Sequence, residues 1–234
     1  MSKRLIVDFD AKYDRFVGGD KKFLKLEDKL LLLNEALEIY FENRVEKAEL
    51  NSRVREELRP LENKEVELKL IKKKDRFSIF EIPKDNYKIL RKRAEVEKEG
   101  CGIKDIKVIT FQTDDLDSAL KNSYWKPSYE WEHTLADEGS EGFYVWHLND
   151  FNIKKLIVDY YRKPKEIHIP SMSAQGYYVD WNGIKRTKDQ DLELDNVYAR
   201  RIIVDLAYLI SSTNLGDTSN FQLQLNKIFN QDKL

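Results

Sequence analysis

Phe151–Ile210 reads FNIKKLIVDYYRKPKEIHIPSMSAQGYYVDWNGIKRTKDQDLELDNVYARRIIVDLAYLI and contains the patterns of two strands, a turn and a helix in that order. The apolar residues from Ile153 to Tyr161 predict a strand that ends before Pro164, because proline has no N–H to donate and restricts the residue before it. Glu166–Ile169 predicts a second, shorter strand. Residues 197–210 are apolar almost all round, which is typical of a central, buried helix. The stretch predicts architecture and holds no catalytic motif.

The composition indicates a folded protein with balanced charge. The chain has 234 residues, of which 41% are hydrophobic, enough for one large domain or two modest ones. Its 41 lysines and arginines against 42 aspartates and glutamates leave a formal net charge of -1. A protein that binds DNA mainly by neutralising phosphates needs clustered cations. The balance argues against that class and leaves only local basic patches.

Cysteine usage and hydropathy predict a protein that is soluble and cytoplasmic while it is being made. Cys101 is the single cysteine, so the chain cannot form an intramolecular disulfide and a reducing compartment is expected. The apolar run before Asp8 is too short for a signal peptide. Charged and polar residues flank the dense cluster Leu30–Leu33, and no segment approaches the roughly 20 apolar residues that cross a bilayer. We therefore expect no membrane partner.

The clearest helix is predicted over residues 22–59. Apolar residues recur there at alternating spacings of three and four, which is typical of a seam that packs against other helices. Other apolar residues lie off the seam, so the helix is covered either by its own bundle or by a neighbouring subunit. Gly18-Gly19-Asp20 predicts the loop and cap before it, and Asn51-Ser52 predicts an interruption or kink. The seam residues are Phe23, Leu26, Leu30, Leu33, Leu37 and Tyr40.

The middle of the chain changes to a β pattern. From Glu65 apolar and charged residues alternate, and Lys72–Asp75 predicts the turn of a hairpin. Residues 87–96 fit a strand or a short helix. A helix is predicted to begin at Thr113, with acidic residues in its first turn. Further strands are predicted at 106–111 and 143–148.

The order of elements, helices then strands then helices, predicts an α+β fold. Residues 1–62 and 190–234 are predicted to form a helical bundle, into which residues 63–189 insert a β-rich module that is sandwich or barrel-like. A last helix is predicted to follow a capping box of Ser219 and Gln222.

The residues that carry most enzyme chemistry are sparse. His133, His147 and His168 are dispersed without metal-ligand spacing, and neither a phosphate-binding glycine loop nor a GxSxG motif occurs. Cys101 lies between two glycines with no partner in sequence that would activate its thiol. We predict no catalytic residue, no metal and no cofactor, and hence a protein that is not an enzyme.

One region could nevertheless hold a site. Trp125, Trp131 and Trp146 lie among acidic residues and histidines up to His147, a combination that could stack on a sugar and supply paired carboxylates. On a strand, Glu130 and Glu132 would share one face. The alternative interpretation is that these aromatics form the body of the β module or an interface anchor.

The role of two basic runs and the partner of one acidic residue each have two interpretations. Lys72–Lys74 and Arg91–Arg93 could touch DNA phosphates, or could be solvated residues that protect strand edges. Asp205 lies within the last apolar helix and needs a partner, either Arg201 one turn earlier or a residue of another subunit.

The order of features in Phe151–Ile210 resembles the C-terminal part of neck proteins of tailed bacteriophages. The matching features are the strand entering YYRKP, the second strand at EIHI, the segments YVDWNG and DLELD, and the final helix carrying IIVDLAY. Proteins of that family are head-tail connector adaptors, among them the tail accessory and tubular adaptors of short-tailed and crAss-like phages. The resemblance covers the C-terminal third, and residues 62–140 do not match motif by motif.

The resemblance implies a virion structural protein at the head-tail junction, assembled in the host cytoplasm. It implies a homo-oligomeric ring of twelve copies under the portal protein, with downstream tail or neck proteins on the other side and DNA passing non-specifically through the channel. The segment Asn226–Leu234 would embrace the portal. The interface candidates are Leu26, Leu30, Leu33, Leu37, Tyr40, Asp205 and Phe229. The candidates for the DNA channel are Lys72, Lys73, Lys74, Arg91, Lys92 and Arg93.

Two other functions remain open on the residues alone. The first is a carbohydrate-binding or carbohydrate-active protein that uses Trp125–His147, in which Trp131→Ala abolishes sugar binding. The second is a cytosolic interaction module with no viral role. Under the connector hypothesis Leu33→Asp is expected to block assembly instead.

Overall fold

The computed structural model describes residues 2–16, 24–180, 182–194, 196–214 and 221–230, and it is an α+β structure. Two compact units are evident. The helical unit comprises Met1–Pro60 with Pro164–Leu234, and the sheet unit comprises Leu61–Lys163. Residues 164–189, predicted within the β-rich module, therefore lie in the helical unit.

The described residues contain six α-helices, of which α4 belongs to the sheet unit. They are α1 Ser2–Phe16, α2 Leu26–Ala48, α3 Ser52–Leu58, α4 Thr113–Lys121, α5 Val197–Asn214 and α6 Phe221–Asn230. The predicted interruption at Asn51 is confirmed, because its side chain accepts a hydrogen bond from the Arg53 N–H at 3.0 Å and caps α3. The predicted caps at Gly18–Asp20 and Ser219, and the seam residue Phe23, lie outside the described residues.

Helix α5 is the centre of the helical unit, since α1, α2 and α6 all contact it. It was predicted to be central and buried, and Ile202, Ile203 and Leu206 are buried. The seam of α2 is buried too, with Leu30 and Leu33 fully covered. The helical period thus identified the buried face of α2, and the apolar run identified the central position of α5.

Within the described ranges, ten strands form two sheets. Their ranges are β1 Glu62–Leu68, β2 Leu70–Lys73, β3 Phe77–Phe80, β4 Asn86–Lys98, β5 Gly102–Thr110, β6 His133–Gly139, β7 Gly142–Trp146, β8 Asn152–Arg162, β9 Tyr178–Val179 and β10 Lys185–Arg186. The first eight strands form one sheet in the order β1-β8-β4-β5-β6-β7-β3-β2. Strands β9 and β10 pair as a short hairpin in the helical unit.

The large sheet curls around a buried core. Strands β1 and β2 lie at opposite ends of the strand order, yet only Lys69 separates them in sequence. The two edges of the sheet must therefore converge at Lys69. One buried cluster takes side chains from most of the strands, including Leu68, Phe80, Val96, Ile106, Val145 and Leu156.

Most neighbouring strands are antiparallel, whereas β5 and β6 are parallel. Helix α4 lies between these two strands in sequence and supplies the crossover that a parallel pair requires. The undecided segment 87–96 lies in strand β4.

Two sequence predictions about strands need correction. The predicted hairpin forms between β2 and β3, but Lys72 and Lys73 belong to β2, so the turn begins at Lys74, two residues later than predicted. No strand forms over Glu166–Ile169. Only His168 makes a bridge there, with Gln190, because the neighbouring backbone groups of Ile167 bond to the Asn34 side chain.

No helix in the described ranges is both long enough and apolar enough to cross a membrane.

Candidate functional site

A polar cluster lies in the segment that leads from Pro164 to α5. Asn34 of α2 fixes the start of this segment: its amide donates to the Ile167 carbonyl at 3.1 Å and its oxygen accepts from the Ile167 N–H at 2.7 Å. The β9–β10 hairpin holds the other side. The histidine cluster, as we name it, consists of Glu166, His168, Tyr178, Asp180 and Arg186.

Asp180 organises the hairpin turn. Its Oδ1 accepts from the N–H groups of Asn182 at 3.0 Å and Ile184 at 2.8 Å, and its Oδ2 accepts from Arg186 Nε at 2.7 Å. Burial raises the pKa of this carboxyl, but the Ile184 N–H and Arg186 outweigh burial and hold the pKa below its ordinary value. Asp180 is therefore an ionised structural anchor.

His168 is buried and is oriented by two neighbours. Its Nδ1 lies 2.6 Å from the Tyr178 hydroxyl, and its Nε2 lies 3.4 Å from a Glu166 carboxylate oxygen. Burial, and then Arg186, lower the pKa of His168. Burial also raises the pKa of Tyr178 to about 12. Both groups are therefore neutral near pH 7.

The cluster has the donor types of a metal site but already contains a cation. One ligand atom each from Glu166, His168 and Asp180 lie within 4.8 Å of one another. The Arg186 guanidinium reaches Asp180 at 2.7 Å and Glu166 at 3.7 Å, so it neutralises both carboxylates. A metal ion would have to displace Arg186 and break the bonds that hold the turn. The geometry fits an ion-pair anchor better than a metal centre.

The two buried histidines make stability depend on pH. Burial lowers the pKa of His147 and of His168, whereas an unfolded histidine titrates near about 6.5. As the pH falls below about 6.5, the unfolded chain takes up protons before the folded one, so stability is lost on acidification. We expect a loss of up to about 1 kcal/mol per histidine for each pH unit in this window. Urea denaturation between pH 8 and pH 5 measures it, and His147→Gln/His168→Gln should flatten the dependence. An unchanged slope in that variant would contradict the assignment.

The aromatic loop, residues 122–132, lies in the sheet unit. Trp131 is 68% exposed and Trp125 is 46% exposed, although the Trp125 ring packs edge-on against Phe111. Glu130 and Glu132 do not lie on a strand, since β6 begins only at His133. The strand on which they would share a face therefore does not include them. The loop presents aromatic side chains to solvent.

Buried Tyr129 holds the aromatic loop against the β4–β5 hairpin. Its hydroxyl donates to the Cys101 carbonyl at 3.1 Å, and the ammonium groups of Lys98 and Lys104 lie 5.7 and 4.1 Å from its ring centre. The same lysines pair with Glu130 and Glu132. Lys98 and Lys104 therefore hold the aromatic loop in place through contacts with its tyrosine ring and its two glutamates.

The Glu130 carboxyl is unsuited to donate a proton. Its hydrogen bond to Lys98 Nζ, at 2.6 Å, lowers its pKa below the ordinary value. Acid-base hydrolysis of a glycoside needs one carboxyl with a raised pKa. Sugar binding by the loop is therefore better supported than hydrolysis.

The histidines of this region and Trp146 are not gathered into one site. The His133 ring nitrogens lie 3.4 Å from the Trp131 carbonyl and 3.2 Å from the Trp125 carbonyl, so this ring braces the loop. His147 is buried and contacts Phe151. Trp146 packs on Phe77 of β3.

The arginines predicted to touch DNA are held by carboxylates. Glu65 accepts from both Arg91 and Arg93. Arg91 also binds Asp159, with Nε to Oδ2 at 2.8 Å, and Arg93 binds Asp105. Three acids thus surround two arginines. A phosphate would have to compete with these pairs, so the structure gives no support to Arg91 and Arg93 as phosphate contacts.

The lysines of the two basic runs are placed differently. Lys92 lies on the opposite face of β4 from its arginine neighbours, where its Nζ donates to Thr110 Oγ1 at 2.6 Å and burial lowers its pKa. Lys72, Lys73 and Lys74 are exposed. Lys73 donates to Asn152 at 2.9 Å, and Lys74 lies over the Phe77 ring. Of the two runs, Lys72–Lys74 is the one whose lysines are exposed to solvent.

The predicted interface candidates are mostly covered by the chain itself. Leu26 and Phe229 are half-buried, and Lys47 donates to the Phe229 carbonyl at 3.1 Å. Asp205 bonds to Lys12 of α1 and not to Arg201. The remaining candidates are buried and offer no surface to a partner: Leu30, Leu33, Leu37 and Tyr40.

The sequence reasoning did not identify the histidine cluster. Asn34 was an unremarked polar residue on an apolar helix, and a buried amide on such a helix is a usable signal of a long-range backbone contact. The segment D-x-N-x-I, from Asp180 to Ile184, has an aspartate placed to accept N–H groups two and four residues on, as turn aspartates do. Both features could have been found in the sequence.

A comparison with known protein families finds no matching family model, and a comparison with curated proteins finds no matching relative.

Proposed function

We propose that this protein is a virion structural protein, a head-tail connector adaptor that forms a ring below the portal through which DNA passes. The observation that carries the proposal is the order of features in residues 151–210, which resembles the neck proteins of tailed phages. On this proposal the protein is not an enzyme. Its partners are further copies of itself, twelve in the ring, the portal protein and the next tail or neck proteins.

The positions of three structural elements support the proposal. Strand β8 ends at Arg162, the β9–β10 hairpin lies where YVDWNG stands, and α5 carries IIVDLAY. The proposed arrangement is a bundle of the N- and C-terminal helices facing the portal and a barrel-like β part facing the tail. The ion pairs of Arg91 and Arg93 remove them from the proposed channel surface and leave Lys72–Lys74 as its candidates.

The test is assembly with the cognate portal. The purified protein is mixed with portal rings and the product is imaged by electron microscopy, with the protein alone as the control. The expected result is an added ring below the portal. A monomer in isolation agrees with the proposal, because adaptors can wait for the portal before they oligomerise. Failure to join the portal at any ratio would exclude the connector role.

The aromatic loop favours a second candidate function, carbohydrate binding. Trp131 and Tyr124 are 68% and 72% exposed, and aromatic faces of this kind stack on sugar rings. Under this candidate Trp131→Ala abolishes glycan binding, measured on a glycan array. Because the side chain is exposed, stability should change by less than about 0.5 kcal/mol. Leu50→Ala, at a residue that is 94% exposed in the helical unit, is the control and should leave binding intact. Equal binding by wild type and Trp131→Ala would exclude the candidate.

A further inference from the structure

A groove of about 500 Å³ runs between α1 and α5 in the helical unit. Arg4, Asp8 and Lys12 recur every four residues along α1, and Val197, Arg201 and Val204 recur at four and three along α5. Each helix therefore turns one face towards the groove. A depression between two packed helices is the shape into which a third helix docks.

The groove carries an excess of positive charge. Four basic and two acidic side chains line it. One basic and one acidic member, Lys12 and Asp205, bind each other. Arg4 and Arg201 are exposed and make no ion pair with any residue that the structure describes. Two guanidinium groups are thus available to a partner, and guanidinium binds carboxylates in a bidentate geometry.

The groove also has an apolar part. Val197 is 75% exposed although it begins a helix that is otherwise central, and Val204 lines the same groove. An exposed valine beside unpaired arginines is typical of an interface, in which an apolar contact is surrounded by polar ones. A partner must therefore offer both apolar and acidic side chains.

We propose that this groove binds an acidic amphipathic helix of a partner protein. DNA fits the groove less well, because Val197 would find no apolar contact on a phosphate backbone. The inference goes beyond the connector role and does not depend on it, since it rests only on the shape and charge of the helical unit.

The test uses two synthetic helical peptides of about 14 residues with leucine at helical spacing. One carries glutamate at the remaining positions and the other carries lysine. Binding to the full chain is measured by fluorescence anisotropy. We expect the glutamate peptide to bind and Arg4→Glu/Arg201→Glu to weaken it by at least about ten-fold. The same variant should gain affinity for the lysine peptide.

Lys188→Glu/Lys227→Glu is the matched control. It makes the same change of charge at two exposed lysines of the same unit that do not line the groove, and we expect it to weaken binding by less than about two-fold. Val197→Ser tests the apolar contact without any change of charge and should weaken binding by about three-fold or more. Circular dichroism checks that each variant is folded.

Several results would overturn the proposal. Equal weakening by Arg4→Glu/Arg201→Glu and by the lysine control would show attraction by overall charge alone. Tighter binding of a short DNA duplex through Arg4 and Arg201 would assign the groove to phosphates. Self-association that Arg4→Glu/Arg201→Glu abolishes would assign it to a second copy of this chain. If the glutamate peptide does not bind at about 1 mM, the groove does not bind an acidic helix.

Discussion

Replacing Gly142 by alanine should unfold the sheet unit. Gly142 begins β7 with a φ of 143°, a conformation that residues with a side chain rarely adopt. A Cβ atom there would lie 2.1 Å from the backbone carbonyl oxygen of Phe80 in β3. Neither strand can yield without breaking the pairing of Phe80 with Phe143. We expect a loss of about 4 kcal/mol or more.

Gly100→Ala is the control for this prediction. Gly100 also has a positive φ, of 76°, but a Cβ atom there would meet nothing within 4 Å. It therefore carries the conformational cost without the clash, and we expect a loss of about 1 kcal/mol. Urea denaturation followed by tryptophan fluorescence compares the two variants. If they lose the same stability, close approach of β3 and β7 is not what requires a glycine at position 142.

The individual strands of the sheet unit can be predicted from sequence, but the closure of the sheet cannot. Alternation from Glu65 onward identifies strands because side chains alternate between the faces of a sheet. That β1 and β2 end up on opposite edges depends on pairing with β8 and β3, which lie elsewhere in the chain. The bulge beside Glu65, where φ is 54°, has no local signal either. Sandwich and barrel-like closure could not be separated from pattern alone.

Helix α1 could have been predicted from the spacing of its apolar residues. Leu5, Ile6, Phe9 and Tyr13 recur at helical spacing and are all buried. The apolar run before Asp8 is too short for a signal peptide, yet these residues form the buried face of an amphipathic helix. Lys12, the partner of Asp205, belongs to this helix, so the ion pair cannot be predicted unless the helix is.

The surroundings of the basic residues depend on contacts between distant parts of the chain. The period of a strand already separates Lys92 from Arg91 and Arg93, and the structure places them on opposite faces. The acids that neutralise the arginines come from β1, β5 and β8. Strand order therefore decides whether the side chains of a basic run are available to phosphate. Strand order cannot be predicted from the basic run itself.

Leu33→Asp is the other substitution with a large expected effect. The sequence predicts that it blocks assembly, whereas the position of Leu33 in the structure predicts that it unfolds the helical unit. Leu33 is fully buried on α2, in the helical unit whose centre is α5. Aspartate there removes a packed leucine, at a cost of about 2–5 kcal/mol, and buries a carboxylate at a fully covered position. We expect a total loss of more than about 4 kcal/mol and an unfolded helical unit. Assembly would then fail because the unit does not fold.

Leu31→Asp separates folding from assembly. Leu31 lies two residues earlier on the same helix and is 41% exposed, so the same substitution should cost about 1 kcal/mol or less. Urea denaturation followed by circular dichroism at helical wavelengths compares the two variants. A folded Leu33→Asp protein would contradict the burial of the seam. A folded Leu31→Asp protein that no longer joins portal rings would instead place an assembly contact on the exposed face of α2, beside a seam that the chain covers with its own residues.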